Sequence, residues 1–371
     1  MRVLMTCGGT GGHINPAIAI ANTIKNNIPG SEFLFVGTKR GQEGVLVPRE
    51  GYEIRFVESQ GIRRSLSLSN IKAIYTALIS PYKAKIILKE FKPDVVIGTG
   101  GYACWPILKA ASMLRIPCAV HESNAKPGLA VKQLQGCVDK ILINFDETRN
   151  ELKQKNKIVK VGNPLRSAFS NMEKNAAKKK LGMSENSKYV LSYGGSGGAE
   201  FLNEIVVKSM AKFAEKHRDI VWQHATGNRD YKETMTRFSE LGLNRYANLE
   251  LKEYIYDMPI RMAAADLVIC RAGAMTVSEL AMMGKASILI PSPNVTDNHQ
   301  YKNAKVLADA GAACLLQEEN LNAELLGENV EYYLLKENER RRMEMLVKNF
   351  ADADSNRRIF DEIVKLAKVK K

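Results

Sequence analysis

The 371-residue chain lacks an unbroken apolar span and a long low-complexity tract, although 45% of its residues are hydrophobic and 25% are charged. The first absence excludes a membrane-crossing helix, which needs about 20 consecutive apolar residues, and the second argues against a disordered or fibrous chain. The apolar opening over 2–7 is cut short by glycines from Gly8 onward, too early for a signal-peptide core, so no export is expected. Cysteine is sparse: Cys7, Cys104, Cys118, Cys137, Cys270 and Cys314 form no C-x-x-C pair and have no histidine at metal-ligand spacing. They are expected to be reduced, mostly buried thiols of a cytoplasmic protein. Zinc fingers, RNP-type aromatic motifs and other nucleic-acid modules are also missing. That absence bears on the net charge of +14, which calls for an anionic partner. Nucleic acid becomes the weakest candidate, leaving an anionic membrane surface or a phosphorylated substrate.

What is present is one pattern used twice: an apolar strand, a glycine-rich turn and an amphipathic helix. It runs from the strand over 3–6 into GGTGGH (8–13), and again from the strand over 189–193 into GGSGG (194–198). Further strands are expected over 32–36, 95–97, 118–120 and 140–143, and in the second half over 220–224, 267–270 and 287–290. Short apolar runs alternating with helical stretches predict parallel sheets covered on both faces, hence an α/β chain of two Rossmann-like domains. The turn-forming segment at Gly162, Asn163 and Pro164 marks the boundary, giving domains over 1–163 and 164–340. The charged stretch 341–371 is expected to be a helix packing back on the first domain.

Neither glycine turn matches the dinucleotide fingerprint, whose third glycine is replaced by Ile14 in one copy and Glu200 in the other, and neither matches the phosphate loop of ATPases. The shared physics remains: glycines let backbone N–H groups approach an anion, and the following helix offers the positive end of its dipole. Two matched turns at two domain starts favour an anion site over tight turns alone, with the two facing each other across a cleft. In CRAGAMTVSE (270–279) a strand again leads into a helix, with Gly273 at the turn and Thr276 offering a hydroxyl. Glu279, placed on the first helical turn, reads equally as a capping-box carboxylate or as an acceptor for two ribose hydroxyls. Downstream, His299 and Gln300 begin another helix, where they either meet sugar hydroxyls or form an ordinary solvated turn.

GGTGGH, GTGGY (98–102), HESN (121–124), GNPLR (162–166), GGSGG, CRAGAMTVSE and DNHQ (297–300) occur in order over nearly the whole chain. Together they resemble the MurG family of peptidoglycan UDP-GlcNAc:lipid I N-acetylglucosaminyltransferases. The resemblance implies a GT-B fold and inverting, metal-independent transfer of GlcNAc from UDP-GlcNAc to undecaprenyl-diphospho-MurNAc-pentapeptide (lipid I), giving lipid II. No cofactor is implied, and the place implied is the cytoplasmic face of the cell membrane, peripherally bound. Carried onto matching positions, it puts uracil near the backbone of Ile255, the ribose on Glu279, and the diphosphate near Ser196, Ala274, Met275 and Thr276, with Val277 and Ser278 beside them. Arg166 lies beside the nucleotide, Asn124 and Gln300 hold the GlcNAc, and Thr10, Gly11 and Gly12 complete the substrate-binding set on the acceptor side. His13 and Glu122 are the catalytic candidates, His13 first as general base because imidazole titrates near neutral pH. Departures from the family pattern are Ser123 and Gly197, where glutamine is common, and Ala103, Cys104 and Trp105 after Tyr102.

Asp352 and Asp354 formally match the D-x-D of metal-dependent glycosyltransferases but lie in the charged C-terminal stretch, which disfavours a metal role. Competing readings are a processive diacylglycerol glycosyltransferase, a UDP-sugar epimerase and a non-catalytic membrane-anchoring subunit. A membrane face is expected where Ile71, Ile74, Tyr75, Leu78, Ile79 and Tyr82 recur at helical spacing beside Arg63, Arg64, Lys72, Lys83, Lys85 and Lys89.

Overall fold

The structure, a computed structural model, describes residues 1–58, 68–170, 172–295 and 298–368, with the backbone alone over 68–78. Two compact units result: Met1–Arg166 with Asp352–Lys371, and Ser167–Ala351.

In the first unit, strands β1 (Arg2–Thr6), β2 (Glu32–Gly37), β3 (Glu53–Phe56), β4 (Val95–Gly98), β5 (Cys118–Glu122), β6 (Lys140–Ile143) and β7 (Ile158–Lys160) form one sheet. Its order is β3-β2-β1-β4-β5-β6-β7 and every pair is parallel. The connecting helices are α1 (Gly11–Asn27), α2 (Glu43–Arg49), α3 (Leu68–Phe91), α4 (Cys104–Met113) and α5 (Leu129–Leu134). Because successive strand side chains point to opposite faces, β1 feeds two cores. Leu4 packs with Ala84, Leu88, Ile107 and Leu108 on one face, while Val3 and Met5 pack with Ile14, Ile18 and Ile20 on the other. Burial of both faces is what makes these strands read as continuous apolar runs.

The second unit repeats the plan. Strands β8 (Lys188–Tyr193), β9 (Ile220–Ala225), β10 (Leu249–Lys252), β11 (Leu267–Cys270), β12 (Ser287–Leu289) and β13 (Cys314–Leu315) pair in parallel in the order β10-β9-β8-β11-β12-β13. Helices α6 (Lys174–Lys180), α7 (Glu200–Lys216), α8 (Tyr231–Glu240), α9 (Met258–Ala264), α10 (Ala274–Met283), α11 (His299–Asp309), α12 (Ala323–Leu335) and α13 (Glu337–Val347) accompany the sheet. Again alternate residues of the central strand serve different cores, Val190 with Trp222 and Leu202, Tyr189 and Leu191 with Met262 and Leu280. In each sheet the strand order reverses beside the first strand of the unit, at β1/β4 and β8/β11. Ligands of such sheets bind at these switch points, beyond the carboxyl ends of the strands.

The C-terminal stretch is two helices where one was expected. After α13 the backbone makes a short turn of helix at Lys348–Phe350, and α14 (Ser355–Lys368) returns to the first unit, packing Ile359 and Ile363 with Ile14 and Ala17 of α1. Its start clamps the GNPLR segment through both backbone groups of one residue: Asn356 Oδ1 accepts the Leu165 N–H (3.0 Å) and Asn356 Nδ2 donates to the Leu165 carbonyl (2.7 Å). Asp352 pairs with Arg358 and lies against Gly162, whose φ of +86° and lack of a side chain make room for it. Asp352 of the aspartate pattern noted in the sequence therefore works as part of this clamp. Replacing Asn356 by Ala removes both bonds, and urea unfolding should register a loss of about 1–3 kcal/mol, the scale of two net hydrogen bonds with a carbonyl left short of a partner.

Candidate functional site

At the first switch point the turns after β1 and β4 meet at their glycines. A Cβ on Gly101 would lie 2.2 Å from the Gly8 carbonyl oxygen, and one on Gly100 would lie 2.4 Å from His13 Nδ1. Only bare backbone permits this approach, and both residues also have positive φ. His13, third residue of α1 and half-buried, thereby reaches the Thr99 carbonyl with Nδ1 at 3.1 Å, while the Thr99 hydroxyl donates to the His13 carbonyl at 2.6 Å. A carbonyl only accepts, so Nδ1 carries the proton and Nε2 of the neutral ring keeps its lone pair. That is the tautomer a general base needs. Thr10 is the N-cap of α1, and Gly11 and Gly12 form its first turn with His13.

A carboxylate absent from the expected set holds this turn. Glu43, fully buried, accepts the Gly9 N–H (2.9 Å), the Thr38 N–H (2.7 Å) and the Thr38 hydroxyl (2.8 Å), tying together the loops after β1 and β2. Gly37 and Gly41 leave it space, since a Cβ at either would come within 2.4 Å and 1.9 Å of its side chain. Cys104, also buried, braces the β4 turn by accepting the Gly100 N–H at 3.2 Å. Burial pushes its thiol up to about 12, so it packs and bonds without reacting.

After β5, Glu122 is nearly enclosed, and its oxygens accept the Asn124 N–H (2.9 Å), the Asn124 side-chain amide (3.0 Å) and the Gly128 N–H (2.8 Å). These bonds aim Asn124 and shape the loop over 123–128, a positioning task. His121 is buried and donates from Nε2 to the Gly162 carbonyl at 2.9 Å; burial lowers its pKa to about 4. Arg166 forms an ion pair with Glu50 at 3.1 Å.

In the second unit the GGSGG turn, which carries Ser196, lies against the loop after β9: a Cβ on Gly198 would meet the Thr226 carbonyl at 2.7 Å, and one on Gly227 would meet Gly198 N at 2.3 Å. Beneath it runs a chain of neutral buried groups. Trp222 Nε1–H donates to Ser192 Oγ (3.0 Å), Ser192 reaches His224 Nδ1 (2.9 Å), His224 Nε2 reaches Asn203 Oδ1 (3.0 Å), and Asn203 Nδ2 donates to the Thr226 carbonyl (3.0 Å). Burial lowers the pKa of His224 to about 3, so the ring is neutral in this chain, accepting from the Ser192 hydroxyl at Nδ1 and donating from Nε2 to Asn203.

Gly273 caps α10, and its first internal bond runs from Val277 N to the Gly273 carbonyl (3.0 Å), so the N–H groups of Ala274, Met275 and Thr276 precede the hydrogen-bonded ladder. Ser278 Oγ donates back to the Ala274 carbonyl at 3.1 Å. Glu279 is the sixth residue of the helix and lies on its second turn, not its first. A capping box requires the third position, which is Thr276, so the capping role is excluded. Glu279 is buried beside Tyr193, whose phenol is pushed well up by burial, with Cys270 and Glu279 adding to the effect. Gln300 Oε1 accepts the Ser292 N–H at 2.9 Å, and Asn303, a residue outside the expected set, donates to the Ala272 carbonyl at 3.0 Å and so ties α11 to the turn before α10. Ile255 is buried just beyond β10. Ser196, Ile255, the start of α10 and Gln300 thus all follow parallel strands of one sheet and lie toward its carboxyl edge. Asp297 of the DNHQ motif lies outside the described residues.

Two Rossmann-like units, each with a glycine turn at its switch point and the second with a helix start beyond the strand ends, are the architecture of the GT-B fold class. The glycosyltransferase family 28 N-terminal domain matches residues 3–143 and the C-terminal domain of that family matches 189–358. The UDP-N-acetylglucosamine--N-acetylmuramyl-(pentapeptide) pyrophosphoryl-undecaprenol N-acetylglucosamine transferase of Acetivibrio thermocellus is 42% identical over 373 residues, covering 100% of this chain and 99% of its own. Its counterpart in Bacillus cytotoxicus is 39% identical over 368 residues, with 99% and 100% covered. The crystal structure of Acinetobacter baumannii MurG aligns with a TM-score of 0.69 at 28% identity over 98% of this chain and 99% of that one. A UDP-GlcNAc 2-epimerase from Neisseria meningitidis, solved bound to UDP-GlcNAc, aligns at 0.67 over 98% and 100% but at 15% identity, a likeness of fold alone. The chain belongs to the family of these peptidoglycan N-acetylglucosamine transferases, within glycosyltransferase family 28.

The buried imidazoles set the acid response. His224 and His121 titrate at about 3 and 4 when folded, against 6.5 for the free side chain, so the unfolded chain binds their protons first. Stability is therefore full above about pH 6.5 and falls as the pH drops toward the folded values, by on the order of 1.4 kcal/mol per pH unit for each group. Urea unfolding at pH 7 and pH 5 should differ by about 2–4 kcal/mol; equal stability at the two values would mean that these rings are protonated in the folded chain.

Proposed function

We propose that this chain transfers GlcNAc from UDP-GlcNAc to undecaprenyl-diphospho-MurNAc-pentapeptide, forming lipid II with inversion at the anomeric carbon. The observation that carries the reading is the 42% identity that runs through both units to a relative whose name states this transfer. In the second unit the ribose hydroxyls bond to Glu279 and the uracil lies on the backbone at Ile255. The diphosphate takes N–H groups from the start of α10, at Ala274, Met275 and Thr276, and from the turn at Ser196, with Val277 and Ser278 beside them. Gln300 meets the sugar; Asn124 and Arg166 belong to the same substrate-binding set. In the first unit the acceptor lies along Thr10, Gly11 and Gly12. Its hydroxyl oxygen attacks the anomeric carbon, its proton passes to Nε2 of His13, and the bond to the diphosphate breaks with the electron pair leaving on UDP. Stabilisation of that leaving charge by backbone N–H groups and a helix start makes the step metal-independent.

Incubating the protein with labelled UDP-GlcNAc, with and without lipid I, tests the reading. Label should enter the lipid fraction only with lipid I; free labelled sugar released without acceptor would instead indicate the epimerase reaction. His13→Ala should lower kcat by about 10²–10⁴ and remove the acid limb of the pH–rate profile while UDP affinity stays close to wild type. Retention of both kcat and the limb would move the base elsewhere. Glu279→Ala should weaken UDP binding by about 1.5–3 kcal/mol in calorimetry, the scale of hydrogen bonds to a charged group.

Peripheral binding to an anionic membrane, on its cytoplasmic face, completes the proposal. Among the described residues no helix is long and apolar enough to cross a membrane. The expected face is only partly in view: Arg63 and Arg64, and the side chains of Ile71, Lys72, Ile74, Tyr75 and Leu78, lie outside the described residues. In the rest of α3, Ala84 and Leu88 are core, while Tyr82 and Ile86 are 62% and 58% exposed beside Lys83, Lys85 and Lys89. A lysine near an anionic surface contributes on the order of 1 kcal/mol. Changing Lys83 and Lys85 to Glu should reduce cosedimentation with anionic vesicles at least tenfold by that scale; equal binding of wild type to neutral and anionic vesicles would contradict the electrostatic part.

A further inference from the structure

At the amino edge of the second sheet, away from the carboxyl-edge turns, six cations gather around three carboxylates. Asp266, just before β11 and almost fully buried, is shared by Lys174, by Lys178 at 3.3 Å and by Arg340 at 3.9 Å, and it also accepts the Tyr189 N–H at 2.9 Å. Lys285, 7% exposed, donates to the carbonyls of Ala263 and Ala265 at the end of α9, and burial with Lys174 nearby pushes its pKa down to about 7. Above these groups opens a cavity of about 380 Å³ whose wall includes Lys174, Arg340, Arg341 and Lys348 against only Glu337 and Glu344. The excess is positive both on the wall and beneath it.

Arg340 is the telling residue. It is 7% exposed and lines the cavity, yet its Nε is buried without a hydrogen-bond acceptor. Its nearest carboxylate oxygens stand at 3.6 Å (Glu344) and 3.9 Å (Asp266), beyond hydrogen-bond distance. An enclosed guanidinium left short of acceptors is costly, and a planar fork of N–H donors matches the oxygens of a phosphoryl group. An oxyanion in the cavity would supply the missing acceptors and offset the surplus positive charge of the surrounding lysines.

We propose that this cavity is a second anion site, distinct from the donor turns, that takes a phosphate monoester group, with Arg340 as its buried anchor and Arg341 and Lys348 at its rim. The same chemistry is offered by free phosphate and by the headgroup of a phosphomonoester lipid. The inference stands apart from the transferase reading, which enters only through the UDP added below to fill the donor site.

The test uses the full chain with excess UDP, measuring the thermal midpoint in inorganic phosphate against chloride at matched ionic strength. Phosphate should raise the midpoint by about 3 °C or more when well above its Kd. Arg340→Met and the exposed Arg341→Glu should each abolish that rise. Arg340→Met should also keep or raise the midpoint in chloride, because it removes a buried guanidinium short of acceptors while Asp266 keeps Lys174 and Lys178; a purely structural arginine would give a lower one. A parallel arm floats the chain with neutral vesicles containing phosphatidic acid or phosphatidylglycerol. A preference of at least fivefold for phosphatidic acid that is lost in both variants would make the lipid headgroup the source, and a phosphate response without that preference would make it a free phosphate. Absence of both responses in the wild type, or their persistence in both variants, overturns the proposal. The variants separate this outcome from a failure of the transferase reading, since phosphate held at the donor turns would be indifferent to Arg340.

Discussion

The first unit depends on two glycine turns approaching closer than any side chain allows. With Gly101 over the Gly8 carbonyl and Gly100 against the His13 ring, the loops after β1 and β4 become one surface. The Thr99 carbonyl then has only one ring nitrogen to meet, and the imidazole is left with Nε2 as its acceptor. Glu43 makes the arrangement durable. A buried carboxylate is expensive unless its oxygens are filled, and here three donors from two loops fill them. Removing one donor would leave a charge short of partners, so the loops are coupled through the carboxylate.

The second unit solves the same problem mainly with neutral groups, the Asp230 carboxylate accepting from Asn203 at 3.2 Å beside them. Its glycine turn rests on a relay of neutral groups from Trp222 through Ser192, His224 and Asn203 to the Thr226 carbonyl. The relay runs from a group that only donates, the Trp222 indole, to one that only accepts, the Thr226 carbonyl, and polarisation passes along it. Two equivalent sheets thus carry turns supported by different chemistry. The carboxylate ties together the loops beside His13, whereas in the second unit burial keeps the His224 ring of the relay neutral.

Much of this was legible in the sequence, and the misses have physical causes. Strands buried on both faces, such as β1, β8 and β11, appear as unbroken apolar runs. The edge strands β3, β7, β10 and β13 were not expected because an edge strand need not be buried on both faces, and β3 and β10 place Glu53, Arg55, Glu250 and Lys252 on their exposed sides, which breaks the apolar run. The glycine motifs announced both turns, but Glu43, His224 and Asn203 belong to no motif, and their roles depend on loops distant in sequence. Gly37 and Gly41 around Glu43 were the available signal. Glu279, expected on the first turn of its helix, lies on the second, because the helix begins at Ala274 directly after Gly273. The C-terminal stretch keeps its charge pattern across the break at 348–354, so composition did not reveal two helices belonging to two units.

Backbone geometry sets the tautomer of the His13 ring before any substrate arrives. Nitrogen-15 NMR of the histidine-labelled chain near pH 7.5, with the His13 signals assigned by their loss in His13→Ala, reads that tautomer directly. The neutral ring should be protonated at Nδ1, with Nε2 showing the shift of an unprotonated nitrogen. A neutral ring protonated at Nε2 would contradict this assignment, because the Thr99 carbonyl would then face a lone pair and the nitrogen assigned to take the acceptor's proton would already hold one.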